Sequence, residues 1–141
     1  MLDTAIQCQT RMSQLSASND PPLQIIFVVE DEELLRELLF EVLSGPGRLI
    51  STFDTADAGL KAFELGPEID LLLTDVRTPG LINGWDLAGF VCSSHPNIPI
   101  IITSGYCFGT GNQLPSSASF ISKPWGLQAM SDMVSKRLSG G

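Results

Sequence analysis

Short apolar runs alternate with amphipathic segments along most of the chain. The apolar runs, rich in β-branched and aliphatic residues, predict five strands, at residues 24–29, 48–53, 71–75, 98–103 and 118–121. Apolar positions at helical spacing predict helices between and after them, at residues 32–44, 56–65, from 84 onward and at 125–138. This alternation predicts parallel β/α units with right-handed crossovers, and therefore a doubly wound α/β sheet covered on both faces.

Local signals mark the ends of the helices. Thr55 and Asn83 are suited to cap helix N-termini, and Asp86, three residues after Asn83, forms a near relative of the capping box. Helical spacing predicts that Leu65 lies on the buried face of the second helix and Phe90 on that of the third.

Two stretches depart from the pattern. Residues 1–22 are polar and end in a Pro-Pro pair, which predicts a flexible N-terminal tail before one domain at residues 23–141. Residues 105–117 contain three glycines and a proline where the alternation requires a fourth helix. We expect that helix to be weak or irregular.

Side chains that could take part in chemistry lie at, or directly after, the carboxyl ends of four of the predicted strands. They are Glu30 and Asp31 after the first, Asp75 at the end of the third, Thr103 at the end of the fourth, and Lys123 after the fifth. An isolated Asp before a Pro-Gly turn most often serves only the turn. In a doubly wound sheet, however, the carboxyl ends of the strands border one crevice, so these side chains should converge.

The expected cluster has a chemical logic. Three carboxylates close together raise one another's pKa unless a cation compensates them, and Mg²⁺ suits an all-oxygen site of this kind. Lys123 can place an ammonium group, and Thr103 a hydroxyl, against an incoming phosphoryl group. Asp75 can then act as the nucleophile that forms an acyl phosphate.

Charge and composition narrow the function classes. The formal net charge of −8 and the scattered basic residues argue against nucleic acid and anionic membranes as partners. The three cysteines lack paired or metal-ligand spacing, and no apolar run is long enough to span a membrane. The N-terminus does not resemble a signal peptide, so we predict a cytoplasmic location.

Five motifs taken together resemble the receiver domain of two-component response regulators over residues 23–138. They are Val28-Val29-Glu30-Asp31-Glu32, Leu73-Thr74-Asp75-Val76-Arg77-Thr78-Pro79-Gly80, Asn83-Gly84-Trp85-Asp86-Leu87, Ile102-Thr103-Ser104-Gly105-Tyr106 and Ser122-Lys123-Pro124. The resemblance implies a flavodoxin-like sheet of strand order 2-1-3-4-5. The loop at Gly80-Leu81-Ile82 is similar to the longer form found in receivers of hybrid kinases.

The resemblance also implies roles for individual residues. Asp75 would be the phosphoacceptor, Thr103 and Phe120 the switch pair, and Lys123 the phosphoryl-binding lysine, before a cis Pro124. Mg²⁺ would be held by Glu30, Asp31 and Asp75 with the backbone carbonyl of Arg77. The phosphodonor would be a histidine kinase or a histidine phosphotransfer protein, with a further protein as downstream target.

Two other function classes stay open at this point. A phosphohydrolase of the haloacid-dehalogenase type also uses an aspartate nucleophile, but it requires a second acid two residues later, where this chain has Arg77. A degenerate receiver that serves as a constitutive binding scaffold would be expected to lose its acids or its lysine, and all are present. Because the sequence continues into no output domain after Gly141, we expect either a stand-alone receiver or one excised from a larger chain, and the initiating Met1 favours the stand-alone form.

Overall fold

The computed structural model describes residues 22–105 and 117–140. The predicted N-terminal tail lies almost entirely outside these ranges. So does most of the stretch at 105–117, for which the sequence predicts a weak fourth helix. Both therefore stay predictions.

Strands and helices alternate along the described chain. The strands are β1 Gln24–Val29, β2 Arg48–Phe53, β3 Leu71–Asp75, β4 Ile100–Ser104 and β5 Ala118–Ser122. The helices within the described ranges are α1 Glu33–Leu43, α2 Ala56–Leu65, α3 Gly84–Ser94 and α4 Leu127–Leu138. Each strand lies within two residues of its predicted bounds.

The five strands form one parallel sheet in the order β2-β1-β3-β4-β5, which confirms the predicted fold. The order reverses beside β1, because β2 lies on one side of it and the remaining strands on the other. Open α/β sheets hold their ligands at such a reversal, outside the carboxyl ends of the strands. The fold therefore locates the candidate site at the ends of β1 and β3.

Hydrophobic clusters cover both faces of the sheet. The α2/α3 face includes Phe27, Val29, Ala56, Leu72, Leu87, Ala88, Val91, Ile100 and Ile102. The α1/α4 face includes Ile26, Val28, Leu39, Leu43, Leu71, Leu73, Ile101, Met130 and Val134. Successive residues of β1, β3 and β4 alternate between these clusters, because the pleat turns neighbouring side chains to opposite faces. Burial on both faces explains why these strands are continuously apolar.

The predicted capping residues are confirmed. The Thr55 side chain accepts a hydrogen bond from the backbone N–H of Ala58, and Asn83 and Asp86 form a reciprocal capping box at the start of α3. The last helix begins at Leu127 rather than at Trp125, with Gly126 as its N-cap. Within the described residues, no helix has the length and apolar character needed to cross a membrane.

Two predicted core residues are exposed instead. Leu65 on α2 is 77% exposed and Phe90 on α3 is 48% exposed. The buried residues of α2 are the small Ala56 and Gly59, and a Cβ atom on Gly59 would lie 3.0 Å from a methyl group of Val29. The helix thus approaches the sheet along its smallest residues, which turns Leu65 toward solvent.

Candidate functional site

The pleat of the strands places the predicted site on the α1/α4 face. Alternate residues of a strand point to the same face, so the side chain of Asp75 lies on the same face as those of Leu71 and Leu73, which pack there. Thr103 is the register partner of Asp75 on β4. Its side chain lies on the same face as that of Ile101, which also packs there. Because neighbouring strands lie about 4.8 Å apart, the side chains of Asp75 and Thr103 are neighbours across the sheet.

Two acids occupy the connection from β1 to α1. Glu30 is buried, with 1% of its surface exposed, whereas Asp31 is exposed. Carboxylate oxygens of Glu30, Asp31 and Asp75 lie within 4.8 Å of one another. This donor set fits a hard cation with oxygen ligands such as Mg²⁺.

Hydrogen bonds that the sequence analysis missed hold this connection in place. The backbone N–H of Glu32 donates to Oε2 of Glu30 over 3.1 Å. Nη1 of Arg36, near the start of α1, donates to the backbone carbonyl of Glu30 over 2.9 Å. Arg36 therefore ties the first turn of α1 to Glu30, the residue that directly follows β1. Its position a few residues after the acids was the only signal in the sequence.

Lys123 joins the ends of β1 and β3. Its Nζ atom lies 3.0 Å from Oε1 of Glu30 and 3.1 Å from Oδ2 of Asp75. Its backbone N–H donates to the carbonyl of Ser104, which extends the pairing of β5 with β4 by one residue. The following peptide bond, Lys123–Pro124, is cis, as the family resemblance predicts.

Burial and charge act against each other in this cluster. Burial raises the pKa of Glu30 and that of Asp75, because removal from water disfavours a charged carboxylate, and Lys123 only partly offsets this effect. For Lys123, burial acts to lower the pKa. The hydrogen bonds and negative charges of Glu30 and Asp75 outweigh it, so the pKa of Lys123 is raised.

Removing this cation should destabilise the fold. In Lys123→Met, two buried carboxylates lose their ion-pair partner, and we expect a loss of about 1–3 kcal/mol in the free energy of unfolding at neutral pH. Urea denaturation of the variant and of wild type in the presence of chelator measures this loss of stability. Lys61→Met, which changes an exposed lysine on α2, is the matched control and should be close to wild type.

The pH dependence of the Lys123→Met variant follows from the same argument. Without the ammonium group, the pKa values of Glu30 and Asp75 should rise further above their ordinary values of 4.5 and 3.8. Between the ordinary and the raised values the native state binds more protons than the unfolded state, so its stability falls as pH rises. The deficit relative to wild type should therefore narrow as pH is lowered through this window. A deficit that is constant with pH would contradict the argument.

The structure places the predicted switch residues on neighbouring strands but on opposite faces. Thr103 is buried on the α1/α4 face, where its Oγ1 atom accepts a hydrogen bond from Nε1 of Trp125 over 3.0 Å. Phe120 pairs with Ile102 and packs against the cluster of the α2/α3 face. No pattern in the sequence indicated this bond between Trp125 and Thr103.

The connection from β3 to α3 is tied to the start of α2. Arg77 lies in this connection and is exposed. The Asp57 carboxylate accepts hydrogen bonds from the backbone N–H groups of Leu81 and Ile82, over 3.1 and 3.3 Å. Gly80 has a φ of +122°, a conformation that favours glycine, and Leu81 beside it is fully exposed to solvent. Asp57 was a further residue that the sequence did not single out.

A comparison with protein families gives one match over most of the chain. Residues 26–135 match the family model described as response regulator receiver domain. All the predicted site residues, from Glu30 to Lys123, fall inside this range.

Curated relatives match the chain over part of their own length. The response regulator protein FleR of Pseudomonas aeruginosa is 27% identical over 120 residues, which are 82% of this chain and 24% of FleR. The DNA-binding transcriptional regulator NtrC of Salmonella typhimurium is 33% identical over 82 residues, which are 58% of this chain and 17% of NtrC. The chain thus spans about a quarter or less of these relatives.

Solved structures share the fold. The response regulator protein TrrA of Thermotoga maritima, crystallised in complex with Mg²⁺ and beryllofluoride, is 29% identical with a TM-score of 0.71. The match covers 82% of this chain and 99% of TrrA. A response regulator receiver protein from Sinorhizobium medicae matches with a TM-score of 0.75 at 24% identity, over 83% of this chain and 95% of that one.

Proposed function

The chain belongs to the family of response regulator receiver domains, and from this premise we propose that it accepts a phosphoryl group on Asp75. The observation that carries the proposal is the convergence of three carboxylates and one lysine from three separate segments at the reversal of strand order. Such a cluster lowers stability through burial and like-charge repulsion, so a structural role alone gives no reason for it.

The proposed transfer is a displacement at phosphorus. A carboxylate oxygen of Asp75 forms a bond to the phosphorus of a phosphohistidine as the P–N bond breaks. The imidazole leaves with the electron pair of that bond and takes a proton from water. The ammonium group of Lys123 offsets charge on the transferring oxygens, and the hydroxyl of Thr103 donates a hydrogen bond to one of them.

Mg²⁺ is the cofactor that this donor set fits. Glu30, Asp31 and Asp75 would hold it, with the backbone carbonyl of Arg77 as a further oxygen ligand. When bound, the ion supplies positive charge against the oxygens of the phosphoryl group. The residues of the chain supply the nucleophile, the ammonium group and the hydroxyl donor.

The proposed partners are proteins. A histidine kinase or a histidine phosphotransfer protein would donate the phosphoryl group, and a downstream protein would bind the modified form, both in the cytoplasm. Thr103 and Phe120 lie on adjacent strands, and their side chains lie on opposite faces of the sheet. Movement of Thr103 toward the phosphoryl group would therefore be transmitted through β4 and β5 to the α2/α3 face. The proposed domain comprises residues 23–141, preceded by the tail.

The metal site gives a separate prediction. We expect Asp31→Asn to weaken Mg²⁺ binding at least about tenfold, because the change removes one of three charged oxygen ligands while keeping the side-chain shape. Glu32→Gln is the matched control, since it neutralises the adjacent exposed acid outside the carboxylate cluster. Isothermal titration of both variants with Mg²⁺ measures the effect. Equal affinities for the two variants would show that Asp31 is not a ligand.

Beryllofluoride, which occupies the position of a phosphoryl group on a carboxylate, tests the proposed function without a cognate kinase. Addition of beryllofluoride and Mg²⁺ should change backbone amide chemical shifts around Asp75, Thr103 and Lys123, and excess chelator should reverse the change. Unaltered spectra, or an equal response without Mg²⁺, would refute the proposal.

A further inference from the structure

The hydroxyl of Thr103 accepts a hydrogen bond from the side chain of Trp125 in the unmodified protein. Nε1 of Trp125 donates to its Oγ1 atom over 3.0 Å, and the Trp125 ring packs against the cluster of the α1/α4 face. An indole nitrogen can only donate, so Thr103 must be the acceptor in this bond. The hydroxyl proton of Thr103 therefore stays available for another acceptor.

The position of Thr103 indicates which acceptor that is. Thr103 is the register partner of Asp75 and lies on the same face of the sheet, so a phosphoryl group on Asp75 would arrive next to its hydroxyl. A threonine side chain without a partner can rotate among its staggered χ1 positions. The indole restricts it to the one in which Oγ1 faces Trp125.

The turn after β5 carries both Trp125 and Lys123. Lys123 reaches Asp75 and Glu30, whereas Trp125, two residues later, reaches Thr103. The backbone N–H of Lys123 anchors this turn to β4 through the carbonyl of Ser104, the residue that follows Thr103. One short segment therefore fixes two of the groups that would contact a phosphoryl oxygen.

We propose that Trp125 is a positioning residue for phosphoryl binding, acting through the hydroxyl of Thr103. This inference rests on the proposed function. The indole N–H donates to Oγ1, and the Thr103 O–H donates in turn to a phosphoryl oxygen on Asp75. Hydrogen bonds in such a chain polarise one another, so the first strengthens the second. If the indole instead restrained Thr103 from reaching the phosphoryl group, removing the indole N–H would raise the affinity for that group rather than lower it.

A double-mutant cycle separates these arrangements. Trp125→Phe keeps an aromatic ring but removes the donor, and Thr103→Val keeps the side-chain shape but removes the hydroxyl. The affinity for beryllofluoride in saturating Mg²⁺ should fall about two- to tenfold in Trp125→Phe, the range expected for one hydrogen bond. In the Thr103→Val background the same change should have no further effect, because the group through which it acts is gone.

The alternative results are distinct. An increase in affinity in Trp125→Phe would overturn the proposal in favour of a restraining bond. An equal loss in both backgrounds would also overturn it, since Trp125 would then act through packing.

A spectroscopic measurement tests the hydrogen bond in the unmodified protein. The chain has two tryptophans, so it gives two indole N–H resonances, and that of Trp85 serves as the internal reference. Thr103→Val should shift the resonance of Trp125 and leave that of Trp85 in place. An unshifted Trp125 resonance would overturn the proposal. If wild type failed to bind beryllofluoride while the Trp125 resonance shifted, the proposed function would be refuted and the bond would have no phosphoryl group to position.

Discussion

Replacing Asp75 with asparagine should abolish phosphorylation by acetyl phosphate and Mg²⁺. The Asp75 carboxylate lies 3.1 Å from Nζ of Lys123, and Thr103 is its register partner on β4, so both residues can contact the transferring oxygens. An amide is a far weaker nucleophile than a carboxylate and does not form an acyl phosphate. Intact-mass analysis should therefore show one added phosphoryl group on wild type and none on Asp75→Asn.

Asp54→Asn is the matched control for this experiment. Asp54 directly follows β2 at the same edge of the sheet, but it is exposed and lies outside the carboxylate cluster. The Asp54→Asn protein should be phosphorylated as wild type is. Modification of Asp75→Asn to the wild-type extent would contradict the assignment of the phosphoacceptor.

A second large effect is expected at Gly84, the first residue of α3. Its backbone N–H donates to the carbonyl of Val76, which draws the helix against the end of β3. A Cβ atom at Gly84 would lie 2.0 Å from the carbonyl oxygen of Asp75. That oxygen belongs to the backbone of a buried strand and cannot rotate away. Gly84→Ala should therefore reduce the free energy of unfolding by about 3 kcal/mol or more, measured by urea denaturation.

Gly89→Ala provides the control on the same helix. Gly89 is exposed, and a Cβ atom there would meet nothing within 4 Å. The substitution should stabilise the protein by about 0.5–1 kcal/mol, because alanine loses less conformational freedom than glycine in a helix. If the Gly84→Ala protein were as stable as the Gly89→Ala protein, that result would contradict the close approach of α3 to the end of β3.

The sequence predicts the fold and the composition of the site because both depend on local patterns. Continuously apolar strands indicate burial on both faces, and acids at the ends of β1 and β3 need only the parallel topology to be brought together. The same argument applies to Lys123, because its position directly after β5 places it at the same edge of the sheet. For Glu30, Asp75 and Lys123 the sequence gives the grouping, and the structure adds the distances.

The supporting contacts depend on tertiary geometry that the sequence pattern does not contain. The bond from Trp125 to Thr103 spans 22 residues, and those from Leu81 and Ile82 to Asp57 span 24 and 25. Each of these hydrogen bonds requires a side chain to point in a specific direction where two secondary-structure elements meet.

The exposure of Leu65 has a related cause. Helical spacing identifies an apolar stripe, but the rotation of α2 is set by how closely small residues such as Gly59 approach the sheet. That approach depends on the opposing side chain of Val29, which lies far away in the sequence.

The measurement that tests the central claim most directly is the identification of the modified residue in wild type. After phosphorylation with acetyl phosphate and Mg²⁺, reduction with borohydride converts an aspartyl phosphate to homoserine, and peptide mapping locates the converted residue. The account predicts conversion at position 75 alone, and none when chelator replaces Mg²⁺. Conversion at Asp31 or at another acid, or a phosphoryl group that resists borohydride, would contradict it.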